Sequence, residues 1–232
     1  FPAPDERDIF TMANGIPVVF ERDALFPSLS TTQQRGLMAR WCDDNQDCDA
    51  PSTLASDNPT RQKAEAVIDW LRGEDQPAID GSLPNPPTFR ARETVLGDIL
   101  SSGPLLVGPP RQLFDDDAYT SFKTTHKDRR DMVYVGANDG MLHAFDAATL
   151  KEQFAYLPEA IYPNLSSLSD PTYGRGNYGK KAFVDGPLSA SDAKFTAADG
   201  DGGWHSVLVG GFGAGAQGVY ALDITDPTPE LA

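Results

Sequence analysis

The sequence predicts a mainly β protein that holds about two blades of an incomplete β-propeller after a small segment of helices and loops. Three observations lead to this prediction. A strand pattern occurs twice after residue 90, turn residues are abundant, with 21 Gly and 19 Pro, and helical periodicity is confined to the first 90 residues. We therefore divide the chain into an N-terminal helical and loop segment, residues 1–90, and incomplete propeller blades, residues 91–232.

Two helices are predicted in the N-terminal segment. The first runs from Thr31 to Trp41 with apolar residues on one face, although Gly36 weakens the pattern. The second is clearer, because Asn58 suits an N-cap, Pro59 suits the first helical position and Gly73 suits the end. These helices lie on either side of a short acidic loop.

The decisive feature is an internal repeat, found in residues 103–146 and again in residues 186–223. Both copies read Gly-Pro-Leu, then Val-x-Val-Gly, then x-Ala-[Phe/Leu]-Asp. Each is typical of antiparallel strands joined by glycine-containing turns. Val133 and Val207 are 74 positions apart, more than the roughly 40–50 residues of a simple blade. Large loops must therefore be inserted between the strands.

The strands of the first copy can be placed individually. Asp146, like Asp223 in the second copy, ends a strand where its carboxylate can accept backbone N–H groups of the next turn. The stretch from Glu152 to Leu157 is predicted as the outer strand of the first copy. The second copy stops before such a strand, so we expect the chain to be a processed or excised fragment.

Charge limits the classes of partner. The formal net charge is −15, which should repel nucleic acid and anionic lipid surfaces. The sequence has no apolar run of the roughly 18 residues that a membrane helix needs. We expect no nucleic-acid partner and no membrane span in this chain.

The two cysteines, Cys42 and Cys48, are the only ones in the chain. A pair this close, without further Cys or His nearby, makes a poor zinc site and suits a small loop closed by a disulfide. A disulfide indicates an oxidising compartment such as the periplasm or the cell surface.

The cysteine loop is also the best candidate for a metal site. Asp43, Asn45 and Asp47 have the spacing of the first three ligands of an EF-hand, and Asp49 adds a fourth oxygen donor. Hard oxygen ligands suit Ca²⁺. Cys48 replaces the glycine of the EF-hand's sixth position, and no Glu stands at the twelfth. The alternative is an acidic, solvated loop without metal.

Catalysis has little support in the sequence. The three histidines, His126, His143 and His205, have no nucleophile or carboxylate at a recognisable motif spacing. His143 is predicted to be a packed or turn-bonding residue on a strand. Residues 138–140, Asn-Asp-Gly, favour a plain hairpin turn. We therefore expect a protein that is not an enzyme.

Two repeat segments, residues 133–146 and 207–225, resemble the C-terminal propeller of the PilC/PilY family of type IV pilus tip-associated biogenesis factors and adhesins. The run GANDGMLHAFDA within the first segment is the most specific part. The helix at residues 67–73 and the stretch from Arg92 to Ile99 are also similar to that family. The resemblance covers most of residues 65–227.

The resemblance implies a modified propeller with quinoprotein-like blades and a role in pilus biogenesis and surface adhesion at the pilus tip or cell surface of a Gram-negative bacterium. It implies Ca²⁺ bound through an Asp-rich loop. The implied partners are pilins or minor pilins, other components of the pilus machinery, a host or abiotic surface, and the remaining blades or a partner chain. The alternative is a fragment of a periplasmic oxidoreductase that binds pyrroloquinoline quinone and Ca²⁺.

Overall fold

The computed structural model describes residues 1–42, 46–79, 83, 86–176, 179–196, 200 and 202–227. Two β-sheets carry the repeat, and helices from the first 90 residues share one buried apolar cluster with the first sheet. Within the described parts, no helix combines the length and the apolar character that crossing a membrane requires.

The first sheet has six strands. Their ranges are β1 (Ile9–Ala13), β2 (Ile16–Val19), β3 (Leu105–Val107), β4 (Met132–Gly136), β5 (Leu142–Asp146) and β6 (Glu152–Leu157). Strands β3 to β6 run antiparallel in chain order, as the first copy of the repeat predicts, and β6 is the predicted outer strand. The N-terminal hairpin β1–β2 extends this sheet, because β1 pairs in parallel with β6.

The second sheet is the second copy of the repeat. It consists of β7 (Leu188–Thr196), β8 (Gly202–Gly211) and β9 (Val219–Asp223), all antiparallel, in the order β7-β8-β9. Strand β8 contains the second Val-x-Val-Gly pattern, as β4 contains the first. The predicted partial propeller is therefore confirmed as two unclosed sheets of repeated strand pattern.

Five α-helices are described. They are α1 (Arg22–Ser28), α2 (Thr31–Met38), α3 (Pro59–Arg72), α4 (Asp117–Thr125) and α5 (Tyr162–Leu165). The prediction for α3 is confirmed at both ends, since the Asn58 side chain accepts hydrogen bonds from the backbone N–H groups of Thr60 and Arg61, and Gly73 caps the C-terminus. The predicted helix from Thr31 to Trp41 is α-helical to Met38 and then continues as a 3-10 turn.

Gly36, which weakens the sequence pattern of α2, has a packing role. A Cβ atom at this position would lie 2.1 Å from the carbonyl oxygen of Tyr162 at the start of α5. Only glycine lets the two helices approach this closely. The low helix propensity of glycine is outweighed here by tertiary contact.

One cluster of buried apolar side chains includes residues from both sides of position 90. Trp70 of α3 and Tyr134 of β4 are both members of this cluster and almost fully buried. The division of the chain at residue 90 stays a prediction. The sheet order nevertheless places strands from both parts in one sheet.

Candidate functional site

The predicted disulfide between Cys42 and Cys48 is present, with 5.6 Å between the Cα atoms. Of the predicted calcium ligands in the loop that it closes, Asp43 and Asn45 lie outside the described residues. Asp47 belongs to a 3-10 helix, Gln46–Asp49, but its side chain is also outside the described part of the structure.

Asp49 is exposed, and a cation stands next to it. The Arg35 guanidinium donates to the main-chain oxygens of Cys48, at 2.8 Å, and Asp49, at 2.6 Å. Each of these two carbonyl groups therefore already accepts a hydrogen bond from a cation. No group of three or more potential metal ligands occurs among the residues that the structure describes. The calcium site stays a prediction.

A chain of buried charges lies elsewhere, at the junction of the N-terminal segment and the first sheet. Arg7 donates through Nε and Nη2 to the two carboxylate oxygens of Glu152, at 2.7 and 2.9 Å. Glu152 Oε1 lies 2.7 Å from Nδ1 of His143. Nε2 of His143 lies 3.0 Å from Oδ2 of Asp139. We call these four residues the ionic chain.

The fold places each member of the ionic chain by a different element. Arg7 precedes β1, Asp139 lies in the β4–β5 turn, His143 is on β5 and Glu152 begins β6. The antiparallel pairing of β5 with β6 is irregular after Ala144, which brings the side chains of His143 and Glu152 within hydrogen-bond distance. The ionic chain therefore links segments that are far apart in the sequence.

The Asn-Asp-Gly turn does more than reverse the chain direction. Asp139 accepts hydrogen bonds from the backbone N–H groups of Gly97, at 2.7 Å, and Met141, at 3.0 Å. Asn138 accepts one from the N–H of Phe183, at 2.8 Å. Gly97 must be glycine, because a Cβ atom there would lie 2.3 Å from the backbone nitrogen of Asp139. The turn therefore anchors two loops to the first sheet.

The charges of the ionic chain are set by mutual pairing. Burial alone would lower the pKa of His143, but Asp139 and Glu152 outweigh it and raise that pKa to about 9. Burial would likewise raise the pKa of each carboxyl group, but the pKa of Asp139 is lowered by His143, and that of Glu152 by His143 and Arg7. His143 is therefore a buried imidazolium ion at neutral pH.

Arg7 also joins the ionic chain to helix α3. Its Nη1 donates to the main-chain oxygen of Arg72 at 2.7 Å, and Arg72 in turn donates to the main-chain oxygens of Phe20, Pro4 and Arg7. Positive charge at a helix C-terminus is favourable, because the helix dipole is negative there. The N-terminal segment, α3 and the first sheet are thus held together by charge-assisted hydrogen bonds.

The other histidines also have structural partners. Nδ1 of His205 on β8 lies 2.7 Å from Oδ2 of Asp223 on β9, and its ring packs against Phe195. His126 ends α4 and packs against Phe122. His143 is confirmed as a buried, turn-bonding residue, since its side chain is 0% exposed and both ring nitrogens face carboxylates. The described histidines therefore take part in packing and in close contacts with carboxylates.

Short antiparallel strands joined by glycine turns, in a unit that occurs twice, define this molecule as a β-propeller-type protein. Residues 96–230 match a family model described as the PilY1 beta-propeller domain. The chain belongs to the PilY1 β-propeller family, as the resemblance predicted.

Curated relatives agree with this assignment. The chain is 35% identical over 232 residues to the type IV pilus biogenesis factor PilY1 of Pseudomonas aeruginosa strain UCBPP-PA14. The matched region covers 97% of this chain and 18% of that protein. It is 44% identical over 168 residues to a PilY1 homologue of Xylella fastidiosa, covering 69% of this chain and 13% of that protein. The chain therefore spans less than a fifth of the length of these relatives.

Among solved structures, the chain is similar to the C-terminal domain of Pseudomonas aeruginosa PilY1. The sequences are 36% identical, the match covers 53% of this chain and 23% of that chain, and the TM-score is 0.39.

Sequence reasoning found His143 but missed its partners Arg7 and Glu152, and it treated Asp139 only as a turn residue. A signal for Glu152 was present, because a glutamate at the start of a predicted strand next to a histidine-containing strand is within pairing distance. Arg7 gave no such signal, since it lies 145 positions from Glu152.

Proposed function

We propose that this chain is a non-enzymatic propeller section of a longer type IV pilus biogenesis factor that acts outside the cytoplasm, at the cell surface or pilus. The observation that carries the proposal is the 35% identity to a type IV pilus biogenesis factor along 97% of the chain. The disulfide between Cys42 and Cys48 supports an oxidising compartment. The packing of the described histidines and their contacts with carboxylates support a structural role.

We also propose that the longer protein works with pilins or minor pilins and other pilus components, and that it contributes to attachment to host or abiotic surfaces. The net charge of −15 supports protein partners over nucleic acid.

The pilus proposal is tested by genetic replacement. In a piliated bacterium that encodes this protein, the gene is deleted and replaced by the full-length protein, by a version lacking residues 96–230, or by a Lys151→Gln control in an exposed side chain. We expect the full-length protein and the control to restore surface pili, counted by electron microscopy, and the deletion to fail at equal protein level on an immunoblot. Normal piliation with the deletion would refute the proposal, and surface attachment is counted separately in the same strains.

The non-enzymatic part has its own test. A bound quinone cofactor of the alternative oxidoreductase would give the purified protein an absorbance band beyond that of its aromatic residues. We expect a spectrum of aromatic residues alone after purification in Ca²⁺. A quinone band that persists through gel filtration would overturn the non-enzymatic assignment.

We also propose that Ca²⁺ binds in the cysteine loop through Asp43, Asn45, Asp47 and Asp49. The support is the alternation of oxygen-bearing side chains and the disulfide, which can impose the turn that glycine makes in an EF-hand. The test compares melting temperatures in CaCl₂ and in MgCl₂. Binding to the folded state should raise the melting temperature in proportion to the logarithm of the Ca²⁺ concentration.

The variants make this calcium test specific. Asp43→Asn together with Asp47→Asn should abolish the rise in melting temperature. The exposed Asp57→Asn should leave it intact, which controls for loss of one negative charge. Equal responses of all three proteins would place any Ca²⁺ binding outside the loop.

A further inference from the structure

A cleft of about 490 Å³ opens between α3, the β4–β5 turn and the stretch from residue 90 to residue 98. Its volume lies within the range of roughly 300–1,000 Å³ that is typical of ligand sites. Four cationic side chains line it, namely Arg90, Arg92, Lys180 and Lys181. Three carboxylates, those of Glu93, Asp98 and Asp139, line it as well, so the lining carries one more positive than negative charge.

The two arginines are held rigidly by aromatic rings. The guanidinium carbon of Arg92 lies 4.1 Å from the ring centroid of Trp70, and that of Arg90 lies 5.3 Å from the rings of both Trp70 and Tyr173. Arg90 also donates to the main-chain oxygen of Leu168 at 2.8 Å, and Arg92 donates to that of Trp70. Stacked guanidinium groups lose little further freedom when they bind an anion.

Arg92 has a donor left over. Its side chain is only 6% exposed, yet its Nε has no hydrogen-bond partner among the described residues. The nearest carboxylate oxygen, Oδ1 of Asp75, lies 3.7 Å from this nitrogen, beyond hydrogen-bond distance, and Asp75 itself is 68% exposed. Leaving a buried charged donor unsatisfied costs free energy. Because this nitrogen has almost no exposed surface of its own, an acceptor in the cleft satisfies it only after a small shift of the guanidinium group or its neighbours.

The charge balance in the cleft selects the kind of acceptor. Lys180 pairs with Asp98, and Asp139 pairs with His143, so these charges largely cancel. Arg90 has no carboxylate within 4.0 Å among the described residues, and the Lys181 ammonium donates to the neutral side chain of Asn164. Glu93 on the lining and Asp75 beside Arg92 supply two opposing charges. The small positive surplus matches a single carboxylate better than a doubly charged phosphate.

The walls of the cleft add an apolar component. Leu96 and Leu100 lie on its rim, and Leu100 is 74% exposed. We propose that this cleft binds an acidic peptide segment of a partner protein, with one Asp or Glu carboxylate held by Arg92 and Arg90 and an apolar neighbour against the leucine rim. The inference does not depend on the pilus role, because it follows from the geometry of this chain.

The test uses two blocked tripeptides that differ by one group, with either glutamate or glutamine between leucines. Binding is followed by isothermal titration calorimetry, and by the change in tryptophan fluorescence that is expected from Trp70 beneath Arg92. We expect the glutamate peptide to bind saturably and the glutamine peptide to bind at least about tenfold more weakly, because hydrogen bonds to charged groups are the strong ones. Added NaCl should weaken the binding of the glutamate peptide more than that of the glutamine peptide.

Variants then locate the site. Arg92→Gln should lower the affinity for the glutamate peptide about tenfold or more. Lys181→Gln on the exposed rim should weaken it about threefold, and it keeps the test valid if circular dichroism shows that the Arg92 variant is unfolded. Lys151→Gln, outside the cleft, is the matched control and should change nothing.

Three results would overturn the proposal. They are equal affinity for the two peptides, no binding to the folded chain at millimolar peptide, and tighter binding of inorganic phosphate than of the glutamate peptide. The last result would keep an anion site but reject the carboxylate. None of these outcomes bears on pilus assembly, which the deletion of residues 96–230 tests separately.

Discussion

The buried imidazolium of His143 predicts a specific loss of stability at alkaline pH. Its pKa is about 9 in the folded chain against an ordinary value of 6.5. Because the folded pKa is the higher one, the stabilisation is fully present below about pH 6.5 and is lost as pH rises through 9. The difference corresponds to about 3 kcal/mol in the free energy of unfolding, of which about 1 kcal/mol should remain at pH 8.

The assay is urea unfolding followed by tryptophan fluorescence at several pH values from 6 to 10. The wild-type free energy of unfolding should fall by about 3 kcal/mol over this range relative to that of His143→Gln, which has no imidazole to titrate. The comparison is between the slopes of the free energy of unfolding against pH, so it stays valid if the variant is less stable at every pH. Parallel pH profiles for the two proteins would show that His143 is not charged in the folded chain.

Three further predictions concern packing, cross-linking and the ionic chain. Gly36→Ala should destabilise the chain by about 1–3 kcal/mol in the same urea assay, whereas Gly103→Ala, where nothing lies within 4 Å of the added methyl group, should change stability by less than about 0.5 kcal/mol. Replacing Cys42 and Cys48 together by serine should lower the free energy of unfolding by about 2 kcal/mol through the lost loop constraint, and an unchanged melting temperature would contradict this. Arg7→Met should cost about 3 kcal/mol or more, because it leaves a buried carboxylate without its cation, and it should expose the N-terminal strand to limited proteolysis.

The strands that the sequence identified are those whose pattern repeats. Met132–Gly136, Leu142–Asp146 and their second copies carry alternating side chains and glycine turns, which are local signals. The start of α3 was equally readable, because Asn58 and Pro59 form a local capping pattern. These features depend on near neighbours along the chain.

The features that the sequence did not reveal depend on distant partners. The parallel pairing of β1 with β6 and the ion pair of Arg7 with Glu152 exist only once the sheet has formed. In the sequence Gly36 only lowers the helix propensity of α2, because its close contact with the carbonyl oxygen of Tyr162 exists only in the folded chain. Likewise the cleft beside Arg92 is assembled from residues of five separate segments, so no single sequence motif predicts it.

The parallel contact of β1 with β6 also predicts an order of events when these strands fold. Thr11 of β1 donates from its side chain to the main-chain oxygen of Leu157, 146 positions later. An isolated two-stranded hairpin is marginally stable in water, so β1–β2 cannot be secured before the β4–β6 strands have formed. Contacts between residues so far apart in sequence slow folding. Strand β1 precedes β6 in the sequence, yet we expect it to become native only after β4 to β6 have paired.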